Sequence, residues 1–472
     1  MSRIASLGLL VCLTLAADSR LPAQSPQPLF IEGYAGRLSY APGQDAELHI
    51  STSAAQFSIE LRRIGVTNEL VWTRRGIAGA EHPVPEDASS HGCRWPVTLR
   101  VPVAESWRSG YYVASLRAED NGGAYTQRGR RTAESDLYFV VRPKATGSTS
   151  KILLQLSANT YNAYNNWGGF SLYAYNGRAK NQGSRVSFHR PGGSQFYNWE
   201  HAFVAWAERN GYALDYAVNY DLELLPDLLN HYRLVVSVGH DEYWSAPMRD
   251  AAEAFIGRGG NMAFFSGNAV CWQVRGEDNG SALVCWKQNY FQDPNFKTGE
   301  HHTLSSLWSH HLVKRPENTL TGVGFLWGGY RKSHGQFMDD PAEFTVHRPG
   351  HWVFAGTGLK QDETFGGKDT IVGYECDGCE LTWRDGLPFP THRDGTPETF
   401  TVLSTCPVRW HPDDAEWYER WEKGRVGNAV MGLYTRGGTV FTAGSTDWAH
   451  GLRGGDKTVE QITRNILERL SQ

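Results

Sequence analysis

RLVVSVGHDEYWS, residues 233–245, decides how this chain is read. The apolar, β-branched run 234–238 is too short for a helix and predicts a buried strand. It passes straight into Gly239, His240, Asp241 and Glu242, and Ser245 then reads as the cap of a following helix. In an open α/β sheet, ligands gather outside the carboxyl ends of the strands. Here that position carries an imidazole, two carboxylates and a phenol in succession, His240 to Tyr243. Such groups are costly to bury unless they are paired, hydrogen-bonded or bound to a cation. The segment therefore predicts the centre of an active site. The competing reading is structural, with Asp241 or Glu242 accepting from the amides of the helix start.

Outward from this segment, strand and helix patterns alternate. Residues 152–156 predict a buried strand, 199–210 a helix with Ala202, Phe203 and Trp206 on one face, and 212–218 a further strand. A short helix is expected over 224–231. After Ser245 a helix buries Met248, Ala251, Ala252, Phe255 and Ile256, and 261–265 predict the next strand. Strands at 429–434 and 440–443 and a closing amphipathic helix at 459–470 complete a doubly wound, mostly parallel sheet. Residues 278–398 read as Gly-, His- and Trp-rich loops with occasional strands such as 370–374, covering the active edge. The loop 157–169, SANTYNAYNNWGG, aims at that edge, as does Ser266-Gly-Asn268 after the 261–265 strand.

The N-terminal part differs. Short alternating runs at 45–50, 57–61, 97–101, 111–116 and 137–141, separated by turn residues, predict an antiparallel β-sandwich of Ig-like or jelly-roll-like type over 28–143. A polar Pro/Gly/Ser-containing linker, 143–150, leads to the α/β domain, 151–471. Residues 1–23 predict an export signal: Arg3, an apolar core over 7–17, and a cleavage site before Gln24. That implies a secreted or periplasmic protein without a membrane anchor.

A formal net charge of −4 over 472 residues gives no electrostatic footprint for nucleic acid or an anionic membrane. The abundant aromatics, 17 Trp, 21 Tyr and 20 Phe, suit a folded protein with an aromatic pocket. Past the signal stand Cys93, Cys271, Cys285, Cys376, Cys379 and Cys406, an even number that suggests disulfides in an exported chain. Cys376-x-x-Cys379 lacks the second pair or the His ligands of a zinc site. The His301-His302 and His310-His311 run fits no standard metal spacing and reads as a loop feature.

Several stretches carry a family resemblance: AYNNWGGFSLY (163–173), SVGHDEYWS (237–245), NMAFFSGNAVCWQVR (261–275), HWVFAGTGL (351–359), IVGYECDGCE (371–380) and GTVFTAGSTDWAHGL (438–452). Together they resemble the large subunit of N,N-dimethylformamidase, over roughly residues 100–470. The resemblance implies a glutamine-amidotransferase-like α/β domain, but the elbow that bears a Cys nucleophile in that fold carries none here. It also implies an amidohydrolase with mononuclear ferric iron held by two tyrosines and a glutamate, acting on a small-molecule amide. Carried onto this chain, the ligands would be Glu242, Tyr164 (with Tyr161 as competitor) and Tyr112 (with Tyr111 as competitor). His240, Asn268, Lys287 and Glu375 would line the pocket in catalytic roles. Glu375, or alternatively His240, would move protons, while Asn268 and Lys287 would position substrate. Phenolate and carboxylate are hard donors suited to Fe(III). A small partner subunit, as in the enzyme resembled, or a homo-oligomer would complete the assembly. The rivals are a metal-independent hydrolase built on His240 and Glu375, and a non-catalytic aromatic-rich binding protein on the same fold.

Overall fold

Leu234–His240 is a strand buried at every position, and it occupies the middle of the parallel half of a nine-stranded sheet. The computed structural model describes residues 28–120, 131–333, 336–337, 342–410 and 426–472. The expected export signal lies outside the described residues. Asp215–Val218, Ile152–Leu156, Leu234–His240, Asn261–Gly267 and Gly438–Thr442 run side by side and parallel. Alternate residues enter two cores, Leu234, Val236 and Val238 on one face and Val235 on the other. Strands covered on both faces can be almost wholly apolar, which is why this run lacks polar alternation.

The mostly parallel expectation holds for only that half. Val426–Arg436, Thr401–Arg409, Phe344–Val346 and Thr364–Phe365 extend the sheet antiparallel. The reason is local: a tight turn at Gly437, φ +83°, joins Val426–Arg436 to Gly438–Thr442. So short a link can only reverse the chain. The expected strand at 370–374 is absent, and Cys376–Gly378 pairs with Gly324–Gly329 instead. Between 278 and 398 the chain is less irregular than its composition suggests, with several short strands and helical turns.

Chain order fixes where ligands can bind. From Ile152–Leu156 the chain moves to a neighbour on one side, Asp215–Val218, then crosses to the other side as Leu234–His240. Such a reversal opens a crevice at the carboxyl ends of the two inner strands. Ser245 caps the helix Ala246–Gly257 by accepting from the Met248 amide at 3.3 Å. That helix buries Arg249 rather than Ala251; its guanidinium donates to the carbonyls of Arg315 and Pro316.

In the N-terminal region a three-stranded sheet (Ile31–Ala35, Asp45–Thr52, Leu99–Pro102) and a five-stranded sheet share one core, with Leu48, Leu61, Tyr112 and Phe139 inside it. Gly110–Asp120 points alternate residues to opposite sides. Tyr112 faces the region's own core, whereas Tyr111 faces the α/β part, stacking on Phe196 at 4.0 Å and bonding Ser194 at 2.5 Å. Arg63 pairs with Glu208 of the helix Glu200–Arg209 at 2.7 Å. The contact includes that helix and its preceding loop, and extends to Trp167, which donates to Glu32, and to Tyr220, which accepts from the Leu38 amide.

Cys93, Cys271, Cys285, Cys376 and Cys379 are free, buried thiols rather than disulfide partners. Cys376 and Cys379, three apart along an extended segment, enter opposite cores and cannot reach each other. The histidine run serves packing, with His310 against Tyr290 at 4.4 Å and His301 against Phe296 at 5.3 Å.

Glu200 is wholly buried, and Tyr161 donates to it. Burial pushes its carboxyl up to about 8. The folded state therefore holds a proton that the unfolded chain releases, so stability falls as pH rises from about 4.5 to about 8. Glu200→Gln, which keeps an acceptor for Tyr161, should flatten that slope. Its Tm should exceed wild type by several degrees at pH 8 and match it near pH 4, as read by thermal denaturation across pH.

Candidate active site

Glu242 follows the Leu234–His240 strand and is almost fully buried. Its backbone is pinned from two sides: its amide donates to Thr160 Oγ1 at 3.0 Å, and its carbonyl accepts from the Trp272 amide at 2.9 Å. The carboxylate collects donors. Tyr173 Oη lies 2.9 Å from both oxygens, Tyr164 Oη 3.2 Å from Oε2, and Trp272 Nε1 2.7 Å from Oε1. Tyr243 Oη in turn donates to Tyr173 Oη at 2.7 Å. Hydrogen bonds to a charged group contribute roughly 1.5–3 kcal/mol each, enough to offset much of the cost of burying the charge.

His240 stands beside this cluster. Its Nε2 is 2.7 Å from Glu375 Oε2 and 3.2 Å from Glu242 Oε2. Burial alone would lower the imidazole, but Glu375 and Glu242 outweigh it and raise it to about 10. Burial pushes Glu242 up, yet His240 and Lys287 hold its carboxyl below the ordinary range. The phenols of Tyr164 and Tyr173 are driven well up, by burial first and then by the Glu242 charge.

Asn268 Nδ2 donates to Glu375 Oε2 at 3.2 Å, and its buried Oδ1 has no hydrogen-bond partner among the described residues. Lys287 Nζ likewise has none; it sits 3.3 Å from the ring centre of Tyr173, with Trp272 and Tyr243 at 4.8 and 5.1 Å. Burial lowers its ammonium. Asn268 and Lys287 both hold positive φ, 47° and 52°, and so does β-branched Val270 at 57°. Backbone strain of this kind concentrates at functional sites.

Gly239, φ +82°, is required by close packing, since a Cβ there would fall 2.5 Å from Trp199 Cβ. Trp199 is fixed by Nε1 donating to Asp447 Oδ1 at 2.8 Å, and the Tyr374 amide donates to Asp447 Oδ2 at 3.0 Å. Tyr164, Trp199 and Tyr374 surround the His240 ring at 5.7, 5.8 and 5.6 Å, centre to centre. Above this collar a cavity of about 570 Å³ opens to solvent.

The structure therefore brings together Glu242, Tyr164, His240, Glu375, Asn268 and Lys287. It does not bring Tyr112, whose hydroxyl donates to the Arg108 carbonyl at 2.7 Å and whose ring lies between Trp107 and Phe139. Tyr111 is committed to Ser194, and Tyr161 to Glu200. Asp241 is structural, accepting from Asn219 and Ser237 at 3.0 and 2.8 Å. The second phenol at Glu242 is Tyr173, the last residue of the AYNNWGGFSLY stretch, and that position was the only sequence signal for it. Trp272 and Trp199 also escaped sequence reasoning, whereas Tyr243 is the phenol of the strand-end cluster. Tyr164 ends a short helix, Ala158–Tyr164, where a loop was expected.

The family model described as N,N-dimethylformamidase beta subunit-like, C-terminal, matches residues 58–461. The chain belongs to this family. N,N-dimethylformamidase beta subunits from Paracoccus aminophilus and Alcaligenes sp are 22% and 24% identical over 444 and 443 residues. Each alignment covers 79% of this chain and 54% of the relative, so the chain spans about half the length of these relatives. A β-galactosidase structure from Bacillus circulans sp. alkalophilus matches 68% of this chain and 31% of its own, at 13% identity and a TM-score of 0.33, too low to bear on fold or function.

Tyr112→Phe should cost about 1 kcal/mol of stability, one lost hydrogen bond. Tyr173→Phe removes a donor to Glu242 and the acceptor of Tyr243, and should cost more than Tyr112→Phe because it strips a buried charge of a partner. Denaturant titration of both variants checks this.

Proposed function

We propose that this family member hydrolyses the C–N bond of an amide, using a hard cation, ferric iron, at Glu242, Tyr164 and Tyr173. The observation that carries the reading is the convergence of two phenols from one segment, Tyr164 and Tyr173, on the carboxylate of Glu242 about 70 residues on, each phenol oxygen 2.9–3.2 Å from it. Among the described residues no three His, Cys, Asp or Glu side chains gather as a metal site. The donors here are instead one carboxylate and two phenols. They fit a small, highly charged ion, because hard oxygen ligands select for one. They are also anionic groups, or groups made anionic by it, crowded where burial otherwise resists charge. Lys287, over the face of Tyr173, adds positive charge where a tyrosinate would need it. Iron held there would supply Lewis acidity toward the amide carbonyl and toward water.

The chain's own residues supply the rest. Of the two candidate bases, His240 is held between two carboxylates, 2.7 Å from Glu375 and 3.2 Å from Glu242. The role is therefore assigned to Glu375: its carboxylate would take a proton as water attacks the carbonyl carbon, and return it to the amine nitrogen as the C–N bond breaks. The unpartnered Asn268 Oδ1 and Lys287 Nζ provide an acceptor and a donor, matching the N–H and C=O of an amide. On this reading the chain is a β-sandwich followed by an amidotransferase-like domain, exported to the periplasm or medium. Because its relatives are named as beta subunits, a small partner chain is also proposed.

The metal-loaded protein should release amine from at least one member of a panel of formamides and acetamides. Glu375→Gln, with an unchanged circular dichroism spectrum, should lose about 100-fold or more in kcat. Full activity in that variant, or no turnover by metal-replete protein on any amide, contradicts the proposal.

A further inference from the structure

The cavity above His240 is graded in charge and shape. Its floor holds His240 with the carboxylates of Glu242 and Glu375 behind it. Its walls are Trp199, Tyr374 and Tyr164, and its exposed rim carries Tyr175, Tyr197 and Arg453. At about 570 Å³ it falls within the roughly 300–1,000 Å³ of pockets that enclose drug-sized ligands. A formamide of a few heavy atoms would leave most of it to water.

The rim is built rather than incidental. Arg453 Nη2 donates to the carbonyls of Tyr197 and Asn198 at 3.0 and 2.9 Å, which fixes the guanidinium at the mouth. Among the described residues it makes no ion pair, so its charge is unspent. Asp447 also borders the cavity, but its oxygens are taken by Trp199 Nε1, Thr446 Oγ1 and the Tyr374 amide. The same carboxylate therefore holds the Trp199 wall and the segment leading into Glu375. Asp447 is a positioning residue.

We infer that the cavity takes an amide bearing a planar ring and a carboxylate, the chemistry of an N-acyl aromatic amino acid. The ring lies against the wall that Trp199 and Tyr374 form together, the carboxylate meets Arg453 at the rim, and the amide points toward the floor. The guanidinium at the rim, without an ion-pair partner among the described residues, orients it in that sense. The word substrate here rests on the hydrolase reading; the ligand class rests on the cavity alone.

The test is calorimetric titration of the full metal-loaded protein with three probes: N-acetylphenylalanine, its neutral carboxamide, and N-acetylalanine. The first should bind about threefold or more tightly than the carboxamide, which loses an exposed charge pair, and about tenfold more tightly than N-acetylalanine, which loses the ring. Arg453→Gln should erase the preference for the carboxylate while keeping that for the ring. Trp199→Leu should do the reverse. Equal affinities for the three probes, or no saturable binding by wild type, overturns the inference without need of any variant. Binding in the expected order without turnover supports it and sinks the hydrolase reading; turnover of small amides without that order does the opposite.

Discussion

One buried carboxylate organises this molecule's functional half. Glu242 is buried in the crevice, and a charge there persists only because Tyr164, Tyr173, Trp272, His240 and Lys287 surround it. Those five groups come from a short helix, a loop, a strand, the end of the strand before Glu242 and a strained helical turn. Satisfying one charge thus ties together segments more than a hundred residues apart. The same crowding of oxygen atoms around one carboxylate is what the proposed cation site would use.

The sheet supplies the place. Reversal of strand order beside Ile152–Leu156 opens the crevice at the ends of two parallel strands, and Tyr164 and Glu242 follow those two strands. A third segment, Glu375, is stitched in through Thr446, which accepts from the Glu375 amide and donates its own amide to the Glu375 carbonyl. The antiparallel half of the sheet carries none of these residues; Thr446 and Asp447 follow Gly438–Thr442, the last of the parallel strands.

The parallel strands were legible in the sequence because burial on both faces leaves uninterrupted apolar runs, and helix starts were legible through Ser245 and the apolar spacing after it. His240 and Glu242 were legible because four polar groups at a strand end have few structural uses. Tyr112 misled, since periodicity does not say which of two neighbouring tyrosines faces which domain; the pleat turned Tyr112 inward and Tyr111 outward. Tyr173 was hidden because it lies in irregular chain, where no spacing rule points to a partner 69 residues away. Cysteine arithmetic failed for a related reason: an even count carries no information about distance, and Cys376 and Cys379 end in separate cores.

The central claim is that Tyr164, Tyr173 and Glu242 grip one cation. Resonance Raman on the coloured protein, excited in its visible band, reads this directly through tyrosinate ring modes enhanced by charge transfer to iron. Wild type should show two tyrosinate sets; Tyr164→Phe and Tyr173→Phe should each remove one, and Glu242→Gln should bleach the band. A colourless protein without bound iron, or a spectrum unchanged by Tyr173→Phe, would contradict the account.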